Sequence, residues 1–182
     1  AERLGIKCYD KELLELAAKE SGLCEDLFAS QDEKPTNSFL YSLVMDTYSL
    51  GYTSSYMDMP INHKVFLAQF DTIKKAAEEG PCVIVGRCAD YILRDTDTKL
   101  LTVFIYAPFE SRVLRKMDIE NKGQARTEAL IKKMDKQRSA YYETHVGKLW
   151  GDAERYDLFF DSSMQTKDEI TQEIISAYKK LD

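Results

Sequence analysis

The stretch Pro81-Cys82-Val83-Ile84-Val85-Gly86-Arg87 decides how this chain is read. Val83, Ile84 and Val85 are β-branched, with Gly80-Pro81 before them and Gly86 after. The pattern predicts a short strand buried on both faces, and such strands belong to parallel sheets covered by helices. Ligands of open α/β sheets sit beyond the carboxyl ends of strands, where Gly86 and Arg87 fall. The same grammar recurs at Leu100-Leu-Thr-Val-Phe-Ile-Tyr-Ala-Pro108, followed by a helix carrying Arg112 and Arg115. Arginines delivered to one sheet edge by two buried strands point to a phosphorylated ligand.

Working outward, Leu4-Gly5 reads as a glycine-closed helix end leading into a strand over 6–9. Asp10 is placed to cap a helix over 11–21 whose apolar face is Leu13, Leu14, Ala17 and Ala18. Short and longer helices are predicted over 24–30 and 37–50, with an irregular Ser-, Tyr- and Met-rich stretch to 62. Asn62 is placed to cap a helix to Glu79, with Phe66, Phe70, Ile73 and Ala77 as its core stripe. After the strand at 82–86 come a short helix over 88–93, a strand over 100–106 and a helix over 109–117. A long helix over 124–146 shows little apolar periodicity, the pattern of a solvent-facing lid. A strand over 157–161 and the capping box Thr166-Lys-Asp-Glu169, opening a helix to Leu181, complete the chain. Strands alternating with helices make this α/β with a mainly parallel sheet, and 182 residues suit one domain.

Composition narrows the function. A net charge of −6 argues against a nucleic-acid-binding surface. No apolar run reaches membrane-spanning length and no signal peptide opens the chain, so the protein is read as cytoplasmic. Cys8, Cys24, Cys82 and Cys88 have no Cys-x-x-Cys spacing and read as reduced, packed thiols. With only two histidines, His63 and His145, neither a zinc set nor a Ser-His-Asp arrangement is available. Phosphoryl transfer to an acceptor that is already an anion needs no such base; positioning and neutralisation carry it. Arg87 stands where a guanidinium can fork onto a phosphate, and a lysine there would lose the fork while leaving the fold intact. Asp90 orients Arg87 or caps the short helix. Arg126, Lys132, Lys133, Asp135, Lys136 and Arg138 line the long helix; Asp135 and Arg138 share a face. Read plainly, this is a solvated charged surface; read with the strand ends, it surrounds an anionic ligand.

Three segments carry a resemblance: Tyr9-Asp10-Lys11-Glu12-Leu13-Leu14, Val83-Ile-Val-Gly-Arg-Cys-Ala-Asp-Tyr-Ile-Leu93, and Lys133-Met-Asp-Lys-Gln-Arg-Ser-Ala-Tyr-Tyr142 with Trp150-Gly-Asp152. In order along the chain, they resemble the cytidylate-kinase-like family of nucleoside-phosphate kinases. The resemblance implies a P-loop kinase-like three-layer α/β/α fold with a helical lid near 120–156 and an acceptor-binding region near 10–80. It implies ATP and Mg²⁺ as cofactors and small nucleotides as partners, with neither nucleic acid nor membrane involved. Tyr9, Asp10, Gly86, Arg87 and Asp90 would bind the acceptor. Arg112 and Arg115 would meet ATP or, on a helix just past a strand, be surface residues or partners for Asp and Glu. Arg126, Lys133, Asp135 and Arg138 would form the catalytic lid, with Asp135 holding Arg138.

Two departures stand out. The family's Gly-Arg-Asp motif has Cys88 in place of its aspartate, which removes the ground for expecting cytosine selectivity. The lid arginine four residues before the aspartate falls on Ile131, with Lys132 and Lys133 as substitutes. Alternatives are a nucleotide-binding module without phosphoryl transfer, or a kinase for another small acceptor shaped by Tyr41, Tyr48, Tyr52 and Tyr56. The family's glycine-rich phosphate loop is expected before Ala1, in a strand–loop–helix unit of about 20–25 residues. The encoding DNA checks this, and a start codon directly before Ala1 with a folded product would overturn it.

Overall fold

The computed structural model describes residues 1–21 and 61–181, apart from the side chains of 61–63. The helices predicted over 24–30 and 37–50, the four tyrosines from Tyr41 to Tyr56, Cys24 and the capping role of Asn62 lie outside the described residues. The chain divides into two compact units, Ala1–Thr98 with Ala140–Lys148, and Lys99–Ser139 with Leu149–Asp182. Helices alternate with short parallel strands in both, so the protein is mixed α/β.

The first unit contains β1 (Lys7–Tyr9), α1 (Glu12–Ser21), α2 (Ile61–Glu78), β2 (Cys82–Ile84) and the single-turn α3 (Ala89–Ile92). β1 and β2 run parallel, with Lys7 opposite Cys82, Cys8 opposite Val83 and Tyr9 opposite Ile84. The amide of Val85 extends this ladder to the Tyr9 carbonyl at 2.9 Å. Among the described residues β2 pairs with β1 alone. Its residues are half-buried and Val85 is 47% exposed, so burial is shallower than three β-branched residues predict.

The core of this unit is the α1–α2 contact. Leu14, Ala17 and Ala18 pack against Val65 and Ala68, and Leu13 and Ile73 are fully buried. Small alanines let the two helices approach closely, and Lys75–Glu20 joins them at the surface. Of the predicted α2 stripe Phe66 and Ile73 are buried while Phe70 and Ala77 are half-buried, and the polar Gln69 and Thr72 are buried beside them. Thr72 satisfies its hydroxyl on the Ala68 carbonyl one turn back, at 2.8 Å.

The second unit holds β3 (Val103–Tyr106), α4 (Phe109–Glu120), the larger part of α5 (Gln124–Val146), β4 (Leu158–Asp161) and α6 (Lys167–Tyr178). β3 and β4 are parallel, pairing Val103 with Leu158 through Tyr106 with Asp161. Register is set just before the first pair. The Thr102 amide and hydroxyl both donate to the Asp157 carboxylate, at 2.8 and 2.7 Å, and the Asp157 amide donates back to the Thr102 hydroxyl at 3.0 Å. A one-residue slip would break all of these bonds and turn the slipped strand's side chains to the opposite face. The capping box of α6 forms as its sequence predicts: Thr166 accepts from the Glu169 amide, and Glu169 accepts from the Thr166 amide at 2.8 Å.

Leu13→Ala removes a side chain with no exposure and is expected to cost about 2–5 kcal/mol of unfolding free energy. Ile119→Ala, at 69% exposure, should stay within about 0.5 kcal/mol. Denaturant unfolding of the two variants beside wild type checks the contrast.

Candidate functional site

The parallel pairing of β1 and β2 brings Asp10 and Arg87 to the same sheet edge. Three residues in succession after β2 take left-handed conformations: Gly86 at φ 74, Arg87 at φ 53 and Cys88 at φ 56. The Ala89 amide closes the turn on the Gly86 carbonyl at 3.1 Å. Glycine adopts this region freely, but each non-glycine residue there costs on the order of 1 kcal/mol or more. Such bends persist where neighbouring contacts over-determine them, and they cluster at functional sites.

The Arg87 guanidinium supplies one of those contacts. Its side chain is 5% exposed. Nη1 donates to the Val85 carbonyl at 3.0 Å and meets the Asp10 carboxylate at 3.4 Å. Asp10, expected to cap α1, thus turns its carboxylate to Arg87, while its own amide donates to Glu12 at 3.2 Å. The Glu12 amide, then that bond from Asp10 and the Arg87 charge, hold the Glu12 carboxyl below its ordinary value. Tyr9 is buried beneath. Asp90 neither orients Arg87 nor caps α3 through its carboxylate. It accepts a short hydrogen bond from the buried Tyr142 hydroxyl of α5, at 2.6 Å. Cys88 is buried at 3%, and its position offers no carboxylate.

The last turns of α5 belong to this unit and are firmly seated. Tyr141, Tyr142 and His145 are buried. His145 stacks on Phe66 with centroids 4.2 Å apart, and its Nδ1 faces the Tyr141 carbonyl at 2.7 Å. A carbonyl only accepts, so Nδ1 carries the proton. The loosely held helix expected from sequence is therefore anchored at this end. Its buried line of Thr127, Ile131, Tyr141 and His145 keeps helical spacing but alternates polar with apolar residues, which hides it from an apolar count. A shallow cleft of about 200 Å³ lies near Lys7, Tyr9, Glu20, Thr72, Lys75 and Glu79. It is smaller than most ligand pockets, and its lysines are paired as Lys7–Glu79 and Lys75–Glu20.

In the second unit both oxygens of Asp135 accept from Nη1 of Arg112, at 2.9 and 2.8 Å. The expected Asp135–Arg138 pairing along α5 thus gives way to a pairing between α4 and α5. Arg115, Arg126, Lys133 and Arg138 are exposed. With 3.6 residues per turn, Arg126 and Lys133 share one face of α5 and Asp135 lies on the opposite one, so the four lid residues do not form one cluster on the helix. The Trp150-Gly-Asp152 segment has a structural purpose. Gly151 stands at φ 80, and a Cβ there would come within 3.0 Å of the Phe104 ring. Trp150 meets the same ring edge-on at 5.5 Å. Asp152 caps the turn that follows by accepting from the Glu154 amide at 3.3 Å.

Sequence reasoning gave Tyr142 no role, although the residue ends the Lys133–Tyr142 segment that carries the family resemblance. It left an acidic partner open for Arg112 but could not name Asp135, since no local spacing encodes a contact between two helices. Burial also changes the outlook for Arg87→Lys. A lysine cannot keep both the Val85 and the Asp10 contacts around a left-handed turn. The variant is therefore expected to lose about 1–3 kcal/mol of stability, read as a lower unfolding midpoint. An unchanged midpoint would return Arg87 to a purely ligand-binding role.

Comparison with known proteins identifies a family. The description "Cytidylate kinase-like family" matches residues 1–164. A crystal structure of an uncharacterized protein from Eubacterium ventriosum is similar, with TM-score 0.63 and 30% identity, over 97% of this chain and 87% of that one. No curated protein matches the chain. With nine-tenths of its length matched, including both strand pairs and the Asp10–Arg87 site, the chain belongs to the cytidylate kinase-like family.

Proposed function

We propose that this protein is an ATP-dependent phosphotransferase on a P-loop kinase-like α/β/α fold. It would transfer the γ-phosphoryl group of ATP to a nucleoside monophosphate or a similar small phosphorylated acceptor. Family membership carries this reading, and the adjacent carboxyl ends of β1 and β2 support its acceptor side. In the reaction an acceptor phosphate oxygen attacks the γ-phosphorus, the bond to the β–γ bridging oxygen breaks, and ADP leaves. The attacking oxygen is already anionic, so no protein base is needed and the chain's task is placement and charge neutralisation.

Tyr9, Asp10, Gly86, Arg87 and Asp90 are the acceptor-side residues in this proposal. Arg87 acts by shaping the turn as well as by its charge. Arg126 and Lys133 are exposed α5 cations that share one face and would serve a transferring phosphate, with Arg138 about a third of a turn around the helix; Arg112 and Arg115 face the nucleotide. Among the described residues no three His, Cys, Asp or Glu side chains gather into a metal site. Mg²⁺ would enter with the nucleotide phosphates, its usual mode in phosphoryl transfer. Small nucleotides are the partners. Among the described residues no helix is long and apolar enough to cross a membrane.

The commitment of Asp90 to Tyr142, with a buried thiol at Cys88, favours an acceptor other than a cytidine nucleotide. ADP formation measured with ATP and Mg²⁺ against a panel of nucleoside monophosphates and small phosphorylated metabolites tests the proposal. Acceptor-dependent ADP release is the expected outcome. Nucleotide binding without release from any acceptor would favour the module that kept the fold and lost the chemistry.

A further inference from the structure

The α4–α5 face of the second unit carries an arrangement that lid chemistry does not require. Arg112 is held at two of its three nitrogens. Nε donates to the Ala107 carbonyl at 3.1 Å, and Nη1 alone serves both oxygens of Asp135. A fork-on-fork pair would occupy two guanidinium nitrogens on the carboxylate; this one leaves Nη2 with no hydrogen-bond partner among the described residues. The side chain is 36% exposed. Arg112 also lies over the Phe109 ring at 5.8 Å, and Lys132 lies over that ring at 5.2 Å. Lys132 has no ion-pair partner among the described residues. Two cations therefore gather at one aromatic ring beside a single carboxylate, leaving one positive charge unbalanced and one donor edge open.

We propose that Asp135 is a positioning residue: it pins Arg112 so that the Nη2 edge, together with Lys132 across Phe109, receives an oxyanion of a polyphosphate chain. The inference rests on the phosphotransferase reading only for the natural ligand, a nucleoside triphosphate. The site itself is defined by its affinity for phosphate oxygens. A pinned guanidinium loses little freedom on binding, which is the advantage of preorganisation. The rival role for the same carboxylate is a competitor, which keeps Arg112 neutralised until an anion displaces it. The two roles predict opposite signs.

Calorimetric titration of the whole protein with inorganic tripolyphosphate separates them, with thermal melting as the control for folding. Arg112→Lys is expected to weaken binding about tenfold, since it removes a charge-assisted contact in fixed geometry. Lys132→Ala should weaken it about threefold, as befits an exposed cation. Asp135→Ala should weaken binding and Asp135→Asn, which keeps an acceptor oxygen for Arg112, should recover part of the loss. Tighter binding in either Asp135 variant would overturn positioning in favour of competition. A lowered melting point with unchanged affinity would reduce the pair to a structural bond. Should Asp135→Ala fail to fold, Asp135→Asn decides alone: weaker binding supports the proposal, and equal or tighter binding overturns it. Absence of tripolyphosphate binding by wild type would also overturn it, whereas the phosphotransferase reading stands or falls separately on ADP formation.

Discussion

Arg87 and Cys88 occupy left-handed backbone conformations one after the other, directly beyond β2, and the candidate acceptor site depends on that bend being held. Neither residue has glycine's freedom, so the conformation must be maintained from outside. The guanidinium does part of this by returning to the Val85 carbonyl of its own strand and reaching Asp10 at the end of the next. Side chain and backbone thus constrain one another: the turn buries the guanidinium, and the guanidinium keeps the turn. Parallel pairing of β1 with β2 is the precondition, because it sets Asp10 and Arg87 at the same edge.

The long helix α5 follows two different rules along its length. Near its end, aromatic and polar groups are buried together, with Tyr142 donating to Asp90, Tyr141 to the Gln69 side-chain oxygen and His145 stacked on Phe66. Earlier in the helix, charges dominate and only isolated residues such as Thr127 and Ile131 are buried. A lid role for the earlier portion is compatible with a firmly rooted end. Motion would then consist of bending or local opening away from that root, not of release of the whole helix.

Several motif residues that invite a chemical reading have a folding task. Gly151 makes room for the Phe104 ring and Asp152 caps a turn, so the Trp-Gly-Asp signature reports how β3 and β4 are joined to their surroundings. Asp157 and Thr102 fix the register of that sheet, each side chain bonding the other residue's backbone amide as well as its side chain. Among the described thiols only Cys88 is fully packed; Cys82 is half-buried, and burial pushes its thiol above the ordinary value, whereas Cys8, expected to be packed, is exposed.

What the sequence by itself determined is what local rules encode. Alternating strand and helix patterns identified the α/β class, the Gln124–Val146 helix and the Thr166 capping box, because caps and periodicities act within a few residues. The ordered segments from Tyr9 to Asp152 were enough to indicate the family. Only the tertiary structure decided which charge meets which. Asp10 goes to Arg87 and not to the α1 cap, Asp90 to Tyr142, and Asp135 to Arg112 and not to Arg138. A carboxylate near several cations has many partners available in sequence. The one it takes is settled by how strands pair and helices pack, through contacts between residues far apart along the chain.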